Sequence, residues 1–85
     1  MANKDDIELL FRTNYKKMLA LAIHLLHNEE AARDIVHDIF ASILSKQIEN
    51  VTSAYLLTGV RLACLKYIRS LSIKERINRL YAVDL

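Results

Sequence analysis

The sequence predicts an all-α fold, a small bundle of three main helices with a short fourth helix or helix extension, on three observations. Its 85 residues include one glycine and no proline, whereas sandwiches and barrels need those residues at turns and strand ends. Apolar residues recur at spacings of three and four along most of the chain, which is the period of an amphipathic helix and not of a strand. Asn, Thr and Ser stand just ahead of the periodic runs, where a side-chain oxygen can accept from the free N–H groups of a first helical turn.

Residues from about 5 to 27 read as the first helix, because Ile7, Leu10 or Phe11, Asn14 or Tyr15, Met18, Ala22 and Leu25 share one face. Asn14 is the polar interruption in that stripe, and Tyr15 beside it keeps the stripe continuous. Asn3 with Asp6 can cap the start, and acidic residues crowd the first turn, where the helix dipole favours them. Asn28 caps a second helix at about 29–46, with the pairs Ile35/Val36, Ile39/Phe40 and Ile43/Leu44 repeating every four residues. With almost no loop between them, these two helices should pair as an antiparallel hairpin. Periodicity fails from Gln47 to Thr52, which is the one interhelical loop of any length. Thr52 or Ser53 then caps a third helix along Leu56/Leu57, Val60, Ala63/Cys64, Tyr67/Ile68 and Leu71. Gly59 lies inside it, at a cost of about 1 kcal/mol relative to alanine unless close packing compensates, so it reads as a helix contact point. Ser72 with Glu75 forms a capping-box pattern ahead of a fourth helix at about 73–82.

Size and composition restrict function. A single domain spanning residues 1–85 buries roughly 60 to 65% of its unfolded surface, which leaves little room for a catalytic cleft. No catalytic residue, metal or cofactor is therefore assigned, and the expectation is a protein that is not an enzyme. The lone Cys64 forbids an internal disulfide, and no secretory leader pattern opens the chain, so a cytoplasmic location is expected. The longest apolar stretch, Met18 to Leu26, contains His24 and is far shorter than the roughly 20 residues needed to span a bilayer.

The formal net charge of +2 conceals an uneven distribution. Residues 1–52 hold six basic and eight acidic residues, a balance of minus 2, while residues 53–85 hold six basic and two acidic, a balance of plus 4. Two charged surfaces with different partners follow, the basic one suited to nucleic acid, although a solvated face would carry the same charges. On the second helix, Asp34, His37 and Asp38 share a face and could dock a basic protein surface. On the third, Arg61, Lys66 and Arg69 spread over a broad flank which, with Lys74, Arg76 and Arg79, makes a basic band beside Tyr55 and Tyr67. Cations track phosphates and aromatic rings stack on unpaired bases; the two tyrosines could equally be partial core residues. His24 and His27, with His37 or Asp38, offer a possible metal site, against the simpler reading of partly buried histidines at the interhelical corner. Cys64 lies on the apolar stripe and reads as a buried structural thiol.

The run AARDIVHDIFASIL, a short loop and then AYLLTGVRLACLKYIRS resemble conserved region two of bacterial sigma factors, in particular the extracytoplasmic-function (ECF) class of the sigma-70 family. The opening LFRTNYKKMLALAIHLLHNEEAARD is similar to the first helix and corner of that domain. The resemblance implies that Asp34, His37 and Asp38 bind the clamp helices of the largest subunit of core RNA polymerase. It also implies that Asn50, Thr52 and Ser53 of the loop, with Tyr55, Arg61, Leu62, Lys66 and Arg69 of the third helix, contact and melt the promoter minus-ten element. A flipped-out base of the nontemplate strand would be held there, and an anti-sigma factor is a further implied partner. Leu62 stands where the family often has Asn, Lys66 where it often has Asp or Asn, and His37 where Gln is common. Members of the class carry a second, helix-turn-helix domain (region four), whereas this chain stops at Leu85; it reads as an excised or truncated domain or a natural stand-alone one. The alternative function is a helical protein–protein interaction module of the same fold that has lost specific DNA binding, a reading that Leu62 favours.

Overall fold

In the computed structural model, residues 4–71 and 73–81 are described, and nearly all of them are helical, with no strand among them. The elements are α1 (Lys4–Leu26), α2 (Glu29–Lys46), α3 (Ser53–Ser70) and α4 (Ile73–Tyr81), each within two residues of its predicted bounds. Asn3 and Ser72, the predicted caps of the first and fourth helices, lie outside the described residues, as does the side chain of Arg79.

The core is a single seam of side chains from three helices. Met18, Ala22 and Leu26 of α1, Ala32, Val36 and Ile43 of α2, and Leu56, Val60 and Cys64 of α3 are all buried. Full burial of each large apolar side chain stabilises by about 1.5–3 kcal/mol. Both α2 and α3 pack extensively on α1 and much less on each other, so α1 is their common wall. That role sharpens the predicted stripe in two places. Asn14 itself, 3% exposed, is on the buried seam, and Leu26 is buried while Leu25 is only partly so. Asn14 is tolerated because its Nδ2 donates to the Leu10 carbonyl at 2.8 Å, which meets the requirement that a buried polar group be hydrogen-bonded. Phe11 and Tyr15 flank the seam, with Phe11 4.4 Å from the Phe40 ring of α2.

The corners are made without glycine. His27 takes a left-handed φ of 52° and its N–H donates to the Ile23 carbonyl at 2.7 Å, ending α1. Asn28 then caps α2, its Oδ1 accepting from the Ala31 N–H at 3.0 Å. Those two residues turn the chain back along α1, as the missing loop predicted. Gln47 closes α2 at φ 51° and ψ 46°, with its N–H on the Ile43 carbonyl, and Ile48 N–H reaches the same oxygen at 3.2 Å. Thr52 caps α3 through its Oγ1, which accepts from the Tyr55 N–H at 3.1 Å.

The α3 helix ends where Leu71 turns to φ −77° and ψ 154°, so α4 is a separate helix. Arg76 of α4 reaches back, its Nη2 donating to the Arg69 and Leu71 carbonyls, each at 3.2 Å. A cation is favoured there because the carbonyls at a helix C-terminus carry partial negative charge. The backbone of α4 otherwise approaches the other helices at few points, and its Ile73 is 72% exposed.

The only glycine of the chain is thus spent in a right-handed helix, while the left-handed positions among the described residues fall on His27, Gln47 and Asn50. A Cβ built on Gly59 would sit 3.8 Å from Ile39 Cδ1, an ordinary contact. Replacing Gly59 by Ala should therefore stabilise the protein by up to about 1 kcal/mol through helix propensity. Gln47→Gly should stabilise it by a similar amount, about 1 kcal/mol, by removing the Cβ cost of a left-handed residue. Urea unfolding midpoints check both; a lower midpoint for Gly59→Ala would contradict the spacing to Ile39.

Candidate nucleic-acid interface

Because α2 and α3 each lean on α1 more than on one another, an open groove runs between them. Near the Gln47–Thr52 loop it widens into a cavity of about 510 Å³. Asn50 and Thr52 line it from the loop, and Tyr55, Thr58, Gly59 and Leu62 from α3. From α2 come Ile39, Ser42 and Ile43. The local structure explains how these groups converge. The left-handed backbone of Asn50, at φ 60°, is one that Asn adopts more readily than most residues. Thr52 is held by its capping bond, and that hydroxyl can still donate its own proton, since its oxygen serves as the acceptor.

The chemistry of this lining is neutral. Ser42, Asn50, Thr52 and Thr58 offer donors and acceptors, Ile39 and Leu62 offer apolar walls, and no lining residue is charged. Tyr55 is 43% exposed and Leu62 61% exposed, so an aromatic ring and an apolar side chain are accessible at the rim. A flat uncharged heterocycle suits such a place. Its faces stack on an aromatic ring and its edges find hydroxyls and an amide, which is how unpaired bases are commonly held.

Of the eight residues predicted to face DNA, the structure therefore brings Asn50, Thr52, Tyr55 and Leu62 around one cavity. Ser53, Arg61, Lys66 and Arg69 are exposed but lie outside its lining. Arg61 lines a different groove, between α3 and α1. Lys66 lines the far part of the α2–α3 groove together with Asp38. The α3 cations of the predicted basic band are thus spread around that helix, and Arg76 of α4 is turned onto the α3 C-terminus. Tyr67 is partly buried against the core, unlike Tyr55. Ser42, Thr58 and Gly59 were not singled out as site residues. The helical register places Thr58, Gly59 and Leu62 on one flank of α3, but only the packing of α2 alongside makes that flank a wall.

On α2, Asp34, His37 and Asp38 are all exposed, opposite the buried line of Ala32, Val36 and Ile43. They fan outward. Asp38 leans toward α3, and the His37 ring lies 6.0 Å from the ring of Tyr15 on α1. The side of α2 toward α1 also holds the Arg33–Glu29 ion pair at 2.6 Å, an exposed helical pair worth about 0.3–0.5 kcal/mol.

His24 and His27 are both exposed rather than partly buried, because the α1 stripe turns away from them at the corner. Their rings are 6.5 Å apart, and His37 is instead beside Tyr15. Among the described residues no three His, Cys, Asp or Glu side chains come together in a way that could hold a metal ion. No helix among them is long and apolar enough to cross a membrane. Comparison with protein-family models, curated proteins and solved structures finds no match to this chain.

Cys64 is fully buried, and that burial pushes its thiol pKa above the ordinary value, the reverse of what a nucleophile needs. It should resist a disulfide reagent in the folded protein and react at once in urea, as thiol titration would show. Because the folded state holds this proton more tightly than the unfolded chain, its contribution to stability is complete below the ordinary thiol pKa and is lost as pH rises beyond it.

Proposed function

We propose that the chain is the region-two module of a bacterial sigma factor of the ECF class, a protein that catalyses no reaction itself. It binds core RNA polymerase and holds the melted nontemplate strand of the promoter minus-ten element. The observation that carries this reading is the neutral cavity where the loop residues Asn50 and Thr52 meet Tyr55 and Leu62 of α3. These are residues for which the resemblance implied contact with the minus-ten element, Leu62 standing where the family often has Asn, and the cavity's chemistry suits an extruded base. Holding one out of the stack costs a few kcal/mol, which stacking and edge hydrogen bonds can offset. Exposed cations at Arg61, Lys66 and Arg69 supply attraction for the backbone from the same helix. The acidic strip of α2 supplies a separate surface for the polymerase clamp, and an anti-sigma factor would compete for one or both surfaces.

Single-stranded DNA should bind with a steep salt dependence, and neutralising Arg61, Lys66 and Arg69 together should reduce the slope of log K against log salt by about 2. Tyr55→Ala should weaken binding by about 1–3 kcal/mol through lost stacking. Fluorescence anisotropy with a short oligonucleotide measures both, and salt-insensitive binding would refute the nucleic-acid reading. Reversing charge with Asp34→Lys and Asp38→Lys should abolish capture of core polymerase while leaving oligonucleotide binding in place; full capture by that double variant would remove the α2 interface.

One observation favours the second reading, a protein-interaction module that has lost DNA recognition. Leu62 and Leu65, 61% and 41% exposed, stand among the cations of α3, and exposed apolar side chains ringed by charge suit a protein partner. That reading predicts polymerase capture or self-association with no oligonucleotide affinity even at low salt.

A further inference from the structure

We infer that Lys17 of α1 and Arg61 of α3 form a two-cation clamp for the sugar–phosphate backbone of a single strand whose base occupies the neutral cavity between α2 and α3. The inference rests on the proposed nucleic-acid reading and extends it to a helix that the resemblance left out of DNA contact.

On the other flank of α3 from the base cavity, a groove of about 700 Å³ runs between α3 and α1. Its charged lining residues are Lys17 and Arg61, one from each helix; the others, including Ala20, Leu21 and Leu57, carry no charge. Both cations are exposed, and the described residues provide no ion-pair partner for either. Two like charges facing one groove with no acid in it repel each other and attract an anion.

The two cavities adjoin. Ala54 and Thr58 line both, and at a spacing of four they form one low ridge along α3, about 5–6 Å from Cβ to Cβ. On one side of that ridge lie an aromatic ring, hydroxyls and an amide without charge. On the other lie two cations without an acid. A nucleic-acid strand has that same division, an uncharged base joined to an anionic backbone, and the ridge residues Ala54 and Thr58 are small side chains over which a strand could pass. An acidic peptide would be drawn to the cations, but nothing would place an uncharged aromatic group of it in the adjoining cavity at a fixed step.

Lys16 provides an internal control. Adjacent residues of a helix point about 100° apart, and Lys16 lines a groove on the α2 side of α1 with Phe11 and Phe40. The two lysines have the same charge and differ by one position, so a general electrostatic effect would not tell them apart.

The experiment is anisotropy titration of a fluorescein-labelled oligo(dT) with the full chain and with Lys16→Ala, Lys17→Ala, Lys17→Gln and Arg61→Gln variants over a range of salt, with helicity followed by circular dichroism. Lys17→Ala and Lys17→Gln should each weaken binding several-fold at low salt and lower the salt slope by about 0.7, the value for one single-strand phosphate contact. Combining Lys17→Gln with Arg61→Gln should lower it by about 1.4, and Lys16→Ala should leave it unchanged. Unaltered binding by both Lys17 variants, or equal losses from Lys16→Ala and Lys17→Ala, would overturn the clamp while leaving the base cavity intact. No binding of oligo(dT) by the unmodified chain would overturn the nucleic-acid reading itself, and the clamp with it. Binding equally reduced by polyglutamate in the unmodified chain and in the Lys17 variants would mark a general anion effect and count against the clamp.

Discussion

Everything in this protein depends on α1 serving as one wall for two helices. Met18, Ala22 and Leu26 are fully buried because α2 covers one side of them and α3 the other. A helix with two partners needs an apolar arc wider than a single stripe, and Phe11, Tyr15, Leu19 and Leu21 extend the seam on its flanks. The same constraint limits what is left over. With their main contacts spent on α1, α2 and α3 meet over a smaller surface, and the groove between them is where the uncharged cavity forms.

The connections then decide which residues reach that groove. A chain with a single glycine makes its left-handed corners from His27, Gln47 and Asn50, at a cost of about 1–2 kcal/mol for an ordinary side chain. At His27 and Gln47 the corner also satisfies helix-end carbonyls. At Asn50, a residue type that tolerates this backbone better than most, the left-handed position lies on the wall of the cavity instead. The charge division follows the same geometry: the acidic strip sits on the outer side of α2, and of the exposed cations of α3 it is Lys66 that shares a groove with one of its members, Asp38.

Much of the fold was legible because it rests on local rules. Helix spans follow from the spacing of apolar residues, and the caps at Asn28 and Thr52 act within three residues of themselves. Asn14 was harder to assign, since periodicity alone cannot say whether a polar residue on a stripe is buried or whether Tyr15 replaces it there. Its hydrogen bond to Leu10 settles the matter within α1, but its burial comes from the neighbouring helices. The histidine corner was misjudged for a related reason: His24 and His27 are near the stripe in sequence, but the end of the seam passes through Leu26 and leaves them exposed.

By itself the sequence determined three main helices and a further helical segment after them, their order, their apolar faces and the opposed charges of its two halves, because each of these is set by residues within a few positions of one another; that the last segment is a separate helix was decided by the turn at Leu71. Only the tertiary structure decided which side chains share a cavity. Ser42 and Leu62 meet across two helices, Lys16 and Lys17 part to different grooves, and Arg76 leaves the basic band to cap α3. Those outcomes depend on the register at which the helices pack, which is fixed by the shape of the whole buried seam and by no segment alone.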